Sequence, residues 1–310
     1  MLTPSQCERT DVVLVSPRNP LNIGAAARAM ANFGFQRLSI VAPFAANWME
    51  AKSAVGAPGL LRDAKVYETL AEAISHCTLV LGTGSLDRRK PEQVILDLPE
   101  AARQVRQTLA PENPANRIAL LFGSEKHGLT TEDLSWCHAL IVIETAEAQP
   151  SMNLGQAVAV CLYEISRTAS ETKTANEPVI QKINGSESSQ LDEKTRQESF
   201  VKGHDFSHAD KINQINRASA PGPSSFASNQ LCQQPEGSEH PNSGQLDRLA
   251  NLIEETMDAV NYTTRGMRSA NGDALRVLLR RLMPNEADLR RMMGLFRRIL
   301  WQLRRQRSQN

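Results

Sequence analysis

The sequence predicts an α/β protein with a parallel sheet, followed by a separate all-helical module. Short apolar runs alternate with helical stretches through the first 167 residues, and strands that alternate with helices pair in parallel. The composition changes abruptly at about Thr168, and helical periodicity returns at about Leu246. We therefore expect a sheet domain over residues 1–167, a flexible low-complexity linker over 168–245 and a helical extension over 246–310.

Five apolar runs predict the strands of the sheet, and the stretches between and after them predict its helices. The predicted strands are Val12–Val15, Leu38–Val41, Thr78–Leu81, Ile118–Phe122 and Leu140–Ile143. The predicted helices are Gly24–Phe33, Leu70–Ser75, Glu100–Thr108, Thr131–Cys137 and Leu154–Arg167. Turn residues precede the first helix, with Asn22 as its candidate N-cap.

The linker is rich in Ser, Asn, Gln, Glu and Lys, and it offers too little apolar surface to offset the entropy of ordering. Beyond it, three stretches of helical periodicity predict a three-helix module. The last helix has two rows of arginines at seven-residue spacing, namely Arg290, Arg297 and Arg304, and Arg291, Arg298 and Arg305. Such a face is typical of a solvated, coiled-coil-like helix or of a phosphate contact. The lack of acidic residues after Asp288 favours the phosphate contact.

The charge distribution points to an acidic partner. The net charge is only +1, but residues 246–310 carry 13 arginines against 7 acids, and the most direct acidic partner is nucleic acid. The five cysteines are scattered without CxxC spacing, which argues against a disulfide framework or a zinc site and favours the cytoplasm. No apolar run approaches the roughly 18 residues of a membrane span. We expect neither a bound metal nor a membrane partner.

Three motifs containing glycine and polar residues follow predicted strands. They are Asn22–Arg28, Phe122–Leu129 and Ser151–Leu154. Each motif alone is weak evidence for a ligand site, because a lone Arg28 is most simply explained as a solvated surface group and Asn153 as a helix cap. Open α/β sheets, however, bind ligands beyond the carboxyl ends of their strands, where these motifs fall.

In this order and spacing, the three motifs resemble those of the SpoU branch of the SPOUT methyltransferases. Residues 246–306 are similar to the C-terminal extension of the bacterial tRNA 2′-O-methyltransferase J type. The resemblance implies a parallel-sheet SPOUT fold with a C-terminal trefoil knot, S-adenosylmethionine as cofactor, and a homodimer that completes the site.

The resemblance also implies roles for individual residues. Arg28 would act at a ribose 2′-hydroxyl, and Asn22, Glu125 and Asn153 would shape the site. The residues implied to contact S-adenosylmethionine are Thr83, Gly84, Ser85, Gly123, Ile143, Ser151, Met152 and Asn153. The candidate RNA-binding residues are Arg88, Arg89, Arg290, Arg291, Arg297 and Arg298.

Methyl transfer is an in-line displacement, so alignment of the reacting atoms is its main requirement. A guanidinium group is a poor proton acceptor. We therefore interpret Arg28 as a group that holds the oxygen and stabilises developing alkoxide charge, while the role of base that the family suggests stays open.

The resulting hypothesis is S-adenosylmethionine-dependent 2′-O-ribose methylation of tRNA, at cytidine or uridine 32 of the anticodon loop. The alternatives are a ribosomal RNA or another tRNA site, and a non-catalytic RNA-binding protein. A dinucleotide-binding oxidoreductase is excluded because the Gly-x-Gly-x-x-Gly turn is missing.

Overall fold

The computed structural model describes residues 2–44, 57–84, 91–167, 240–262 and 268–307. The described residues belong to one compact unit, and most of the predicted linker lies outside them. Within the described ranges, no helix is apolar over a length that would cross a bilayer.

A seven-stranded sheet forms the centre of the domain, and every strand pairing in it is parallel. The strands are β1 (Thr10–Val15), β2 (Arg37–Val41), β3 (Lys65–Tyr67), β4 (Leu79–Thr83), β5 (Val94–Asp97), β6 (Ile118–Phe122) and β7 (Ala139–Val142). Their order across the sheet is β3-β2-β1-β6-β4-β7-β5. The predicted α/β class and parallel sheet are confirmed, and the five predicted strands match to within two residues.

Seven helices accompany the sheet in the described part of the chain. They are α1 (Pro4–Glu8), α2 (Pro20–Asn32), α3 (Pro58–Arg62), α4 (Leu70–Ile74), α5 (Leu98–Thr108), α6 (Thr131–Ser135) and α7 (Leu154–Ser166). The prediction of Asn22 as the N-cap of α2 is wrong. Asn19 caps this helix, its side-chain oxygen accepting from the Leu21 amide at 2.9 Å. Pro20 fixes the start because its ring presets the backbone for the first helical position.

The sheet is covered by helices on both faces, which explains why its central strands are continuous apolar runs. Along β1, Val12 and Leu14 belong to one core cluster, which also holds residues of α2, α5 and α7. Val13 and Val15 point to the other face, into a cluster with residues of α4 and α6. β1 is therefore buried on both sides and fixes the position of the loop that follows it.

The C-terminal residues form α8 (Ser243–Ala259), α9 (Arg268–Leu282) and α10 (Glu286–Arg307). α8 begins three residues before the predicted boundary at Leu246, because the Asn242 side chain accepts from the Gln245 amide at 2.9 Å and caps the helix. Side chains from all three helices share one apolar core, formed by Leu246, Leu249, Ala250, Leu279 and Leu289.

The helical module is attached to the sheet domain by buried polar contacts. The Ser243 amide donates to the Cys77 carbonyl at 2.7 Å, and the Gly244 amide to the Ser75 carbonyl at 2.9 Å. Arg280 is 1% exposed, and its Nε donates to the Trp136 carbonyl and its Nη2 to Ser243 Oγ, both at 2.9 Å. Burial lowers the pKa of Arg280 to about 10. These contacts hold α8 and α9 against the residues that immediately precede β4 and β7.

Candidate functional site

The residues that follow three neighbouring strands lie together at the carboxyl ends of those strands, which we call the carboxyl edge of the sheet. Gly123 follows β6, Gly84 follows β4 and Ile143 follows β7, and β4 lies between the other two strands. The Thr83 hydroxyl donates to the Leu121 carbonyl at 3.0 Å and the Gly84 amide to the Ile141 carbonyl at 3.3 Å, which ties the end of β4 to both neighbours. This edge is the position where open parallel sheets bind ligands.

The loop after β6 folds tightly back on itself. A Cβ atom on Gly123 would lie 2.0 Å from the carbonyl carbon of Gly128, so only glycine allows this approach. Gly128 has a φ of +65° and donates its amide to the Ser124 carbonyl at 2.8 Å. The two glycines therefore fix the loop that carries Glu125.

The Glu125 carboxylate lies at the amino end of α2 and accepts three hydrogen bonds, two from the residues just before the helix and one from within it. The donors are the Arg18 amide at 2.9 Å, the Asn19 amide at 3.0 Å and Asn22 Nδ2 at 2.9 Å. Partial burial alone would raise the pKa of Glu125, but the Asn22 hydrogen bond and those of backbone amides lower it below its usual value. Glu125 is thus an ionised acceptor that locks the loop to α2.

Asn153 joins the third motif to this network. It caps α7 by accepting from the Gly155 amide at 2.9 Å, and its Nδ2 donates to Asn22 Oδ1 at 2.9 Å. Asn22 therefore bridges Glu125 and Asn153, and one chain of hydrogen bonds connects all three motifs. The structure brings together three of the four residues predicted to form the catalytic site.

Close helix packing sets the distance between Asn22 and Asn153. A Cβ atom on Gly155 would lie 2.6 Å from the Cβ of Ala25, so α2 and α7 approach more closely here than two side chains allow. Further along, the rings of Phe33 and Tyr163 meet edge to face with centroids 6.1 Å apart. The two helices run side by side in the same direction, with their amino ends at the network.

Arg28, the fourth predicted catalytic residue, lies away from this network. It is exposed on α2, six residues after Asn22, which places it about 120° around the helix. Among the residues that the structure describes, none forms a hydrogen bond or ion pair with Arg28. Leu21, on the same face of α2, is 54% exposed, and Val160 and Tyr163 on α7 are also exposed.

The remaining predicted site residues differ in how far the structure describes them. Ser151 is exposed and Met152 half-buried just before α7. Ser85, Arg88 and Arg89 lie outside the described residues. Arg290, Arg291, Arg297 and Arg298 are all exposed on α10. Of these four, Arg291 pairs with Asp288 at 3.3 Å, and the others have no ion pair within the described segments.

A cluster that the sequence analysis missed lies at the other ends of the strands, near the amino ends of β1 and β4. Ligand-type atoms of Asp11, His76 and Cys77 lie within 4.8 Å of one another. Asp11 is buried, and it accepts from Arg37 Nε at 2.6 Å and lies 2.8 Å from His76 Nε2. A cation here would compete with Arg37 and would need the Cys77 thiolate, although burial raises the pKa of that thiol well above its usual value. We interpret the cluster as an ion pair that fastens β1 to β2.

The chain is similar to proteins that modify tRNA. It is 41% identical over 159 residues to the tRNA (cytidine/uridine/adenosine-2′-O-)-methyltransferase TrmJ of Pseudomonas aeruginosa, covering 51% of this chain and 60% of that protein. It is 37% identical over 155 residues to the tRNA (cytidine-2′-O-)-methyltransferase TrmJ of Methanocaldococcus jannaschii, covering 50% and 66%. The matches thus span less than two thirds of either relative.

Solved structures and a family model extend the comparison. The crystal structure of TrmJ from Z. mobilis ZM4 superposes with a TM-score of 0.65 at 22% identity, covering 94% of this chain and 98% of that one, which shows a shared fold. The model of the SpoU rRNA Methylase family matches residues 9–163, which include β1, the three motifs and most of α7. The chain belongs to the SpoU rRNA Methylase family.

Proposed function

We propose that this protein is an S-adenosylmethionine-dependent RNA 2′-O-ribose methyltransferase that acts on tRNA, at cytidine or uridine 32 of the anticodon loop. The observation that carries the proposal is the hydrogen-bonded chain Glu125–Asn22–Asn153, which unites the three motifs at the carboxyl edge of the sheet. Family membership supports the RNA-methyltransferase class, and the printed names of the relatives support tRNA and the ribose 2′-oxygen.

The carboxyl edge of the sheet fits the cofactor. A Cβ atom built on Gly84 meets none of the described residues within 4 Å, and half-buried Ile143 offers an apolar surface beside it. Thr83, Gly123 and residues 151–153 would complete the contacts. When bound, S-adenosylmethionine supplies an electrophilic methyl group on a sulfonium sulfur.

Glu125 is a positioning residue in this proposal. Its two oxygens already accept three hydrogen bonds from the amino end of α2 and the two residues before it, and its lowered pKa makes it a weak proton acceptor. By holding Asn22, and through it Asn153, the carboxylate fixes the loop and two helix ends that border the cofactor edge. Precise alignment of oxygen, methyl and sulfur is the contribution that this rigid frame makes to the rate.

Arg28 is the residue proposed to act on the RNA. Its exposed guanidinium is free to bind the ribose oxygen or a neighbouring phosphate and to stabilise alkoxide charge as it develops. Because it points away from the network of its own chain, we propose that a second copy covers the exposed face with Leu21, Val160 and Tyr163. In such a homodimer, Arg28 of one protomer would reach the cofactor edge of its partner.

Two further features belong to the same proposal. The segment after β6, which packs directly on Gly123, would form part of a trefoil knot as in other SPOUT proteins.

The exposed arginines of α10 would bind the tRNA backbone, with residues 1–167 as the methyltransferase domain, 168–242 as the linker and 243–310 as the RNA-binding extension. We propose the cytoplasm as the location because unmodified tRNA is found there.

The test is methyl transfer from labelled S-adenosylmethionine to unmodified tRNA by wild type, Arg28→Ala and Arg62→Ala. Arg62 is an exposed arginine on α3 that pairs with the adjacent Asp63, which makes it a matched control. Arg28→Ala should lower the rate about 100-fold or more while cofactor affinity stays within about twofold, and Arg62→Ala should match wild type. Loss of cofactor affinity in Arg28→Ala would instead make this residue structural. RNA binding without any transfer by wild type would identify a non-catalytic RNA-binding protein.

A further inference from the structure

An exposed tryptophan lies between two arginines on α10. Trp301 is 49% exposed, with Arg298 three residues before it and Arg305 four residues after it. Each guanidinium carbon lies 5.4 Å from the centroid of the indole ring, within the range of cation–π attraction. Three flat groups thus line one side of the helix.

The core does not require this arrangement. α10 packs on α8 through another face, which holds the buried side chains Leu289 and Leu300. Trp301 is the largest type of side chain, and half of it stays in water on a face where its neighbours are charged. A residue exposed in this way next to arginines is suited to a ligand rather than to folding.

The charge around Trp301 restricts the class of ligand. No acidic residue follows Asp288 in the sequence. Within the described part of the chain, Arg298 and Arg305 have no carboxylate partner, in contrast to Arg304, which pairs with Glu255. A second copy of this positively charged face would be repelled, whereas a polyanion would be attracted.

We propose that Trp301, flanked by Arg298 and Arg305, is a stacking platform for an unpaired base of the RNA. Proteins bind unpaired nucleotides by stacking bases on aromatic rings or guanidinium planes, and arginines next to the ring neutralise the adjoining phosphates. The inference rests on the proposed function, because it adds a contact to the RNA that the enzyme would modify. It assigns to α10 a preference for single-stranded segments such as a tRNA loop, beyond general attraction to phosphate.

The dependence of RNA affinity on salt separates stacking from charge. With the full chain and labelled unmodified tRNA, Trp301→Ala should raise Kd about 5- to 150-fold, the range for loss of one stacked base. It should leave the slope of log Kd against log salt unchanged. Arg298→Ala should instead reduce the magnitude of that slope by about 0.7 to 0.9, the value for one phosphate contact. Trp301→Phe should recover part of the affinity because the phenyl ring still stacks.

Leu295→Ala is the matched control, since Leu295 is an exposed apolar residue of the same helix at 57% exposure. It should change Kd less than twofold. A single-stranded oligonucleotide should bind more tightly than a duplex of the same sequence, and Trp301→Ala should remove that difference. Circular dichroism and the thermal midpoint of each variant verify that α10 still forms.

Wild-type affinity in Trp301→Ala would overturn the stacking proposal and leave the proposed function untouched, as long as wild type still methylates tRNA. A change in sedimentation coefficient in Trp301→Ala, with RNA affinity unaltered, would also overturn it, in favour of a contact between copies. If wild type neither binds nor methylates any RNA, the proposed function fails together with this inference.

Discussion

Replacing Gly155 with alanine should disrupt the candidate site by separating two helices. The new methyl group would lie 2.6 Å from the Cβ of Ala25, whereas carbon atoms in contact are about 3.5 to 4.0 Å apart. Relief of this overlap requires α2 and α7 to move apart by about 1 Å. A rigid shift of that size would lengthen the Asn153–Asn22 hydrogen bond from 2.9 Å to a distance at which it no longer forms.

The expected change in stability is the difference between two opposing effects. Overpacking of a close contact costs about 1 to 3 kcal/mol, and alanine gains about 1 kcal/mol over glycine within a helix. The free energy of unfolding should therefore fall by about 0 to 2 kcal/mol. The activation free energy of methyl transfer should rise by more than the free energy of unfolding falls, because the Asn22–Asn153 hydrogen bond is the contact that stretches.

Urea unfolding and methyl transfer are measured for Gly155→Ala with Gly294→Ala as the control. Gly294 also lies inside a helix, but a Cβ atom there meets none of the described residues within 4 Å, so the free energy of unfolding of that variant should rise by up to about 1 kcal/mol. Ala25→Gly combined with Gly155→Ala removes the overlap. The double mutant should show a favourable coupling of about 1 to 3 kcal/mol and recover transfer activity.

The opposite outcome is that Gly155→Ala stabilises the protein as much as Gly294→Ala does and that the double mutant shows no coupling. Such a result would mean that α2 and α7 do not approach closely at Ala25.

Two further predictions concern buried basic side chains. Arg280→Gln leaves the buried Trp136 carbonyl and Ser243 hydroxyl without their donor, so the free energy of unfolding measured in urea should fall by about 2 to 4 kcal/mol. Arg280→Lys should be less damaging. Wild-type stability in Arg280→Gln would contradict the anchoring role. Burial lowers the pKa of His138 to about 3, so between about pH 6.5 and 3 the unfolded chain binds a proton that the folded chain does not, and stability falls as the pH drops. His138→Asn should make the unfolding free energy less dependent on pH in this window, by up to about 1.4 kcal/mol per pH unit, and an unchanged slope would argue against a neutral buried imidazole.

The sequence predicted the central strands because burial on both faces leaves a continuous apolar run, as in β1. It missed β3 and β5, which lie at the two edges of the sheet. β3 has three residues and β5 has four, and each leaves an apolar side chain in water, Val66 at 53% and Ile95 at 46% exposure, so burial does not impose a long apolar run on either strand. Edge strands depend on pairing with a neighbour, and a single sequence does not show that pairing.

Within the site, the motifs identified Asn22, Glu125 and Asn153, but local reasoning assigned the wrong cap to α2. Asn19 and Asn22 are both good capping residues, and Pro20 decides between them. Asn22 is thereby left free to bridge the other two residues.

Contacts between distant parts of the chain had no local signal. Asp11 meets Arg37 through the register of β1 and β2, and Arg280 meets Trp136 across 144 positions. Trp301 did have a signal in the sequence, an aromatic residue with arginines three positions before and four positions after it. That spacing places all three side chains on one side of a helix.

The proposed reaction is the transfer of a methyl group to a ribose in tRNA. The most direct measurement incubates the full chain with labelled S-adenosylmethionine and unmodified tRNA, and then maps the label by nuclease digestion and mass spectrometry. A single 2′-O-methylated cytidine or uridine at position 32 is expected, formed at least about 100-fold more slowly by Arg28→Ala. Bound cofactor without transfer to any tRNA or ribosomal RNA, or a methyl group on a base rather than on a ribose, would contradict it.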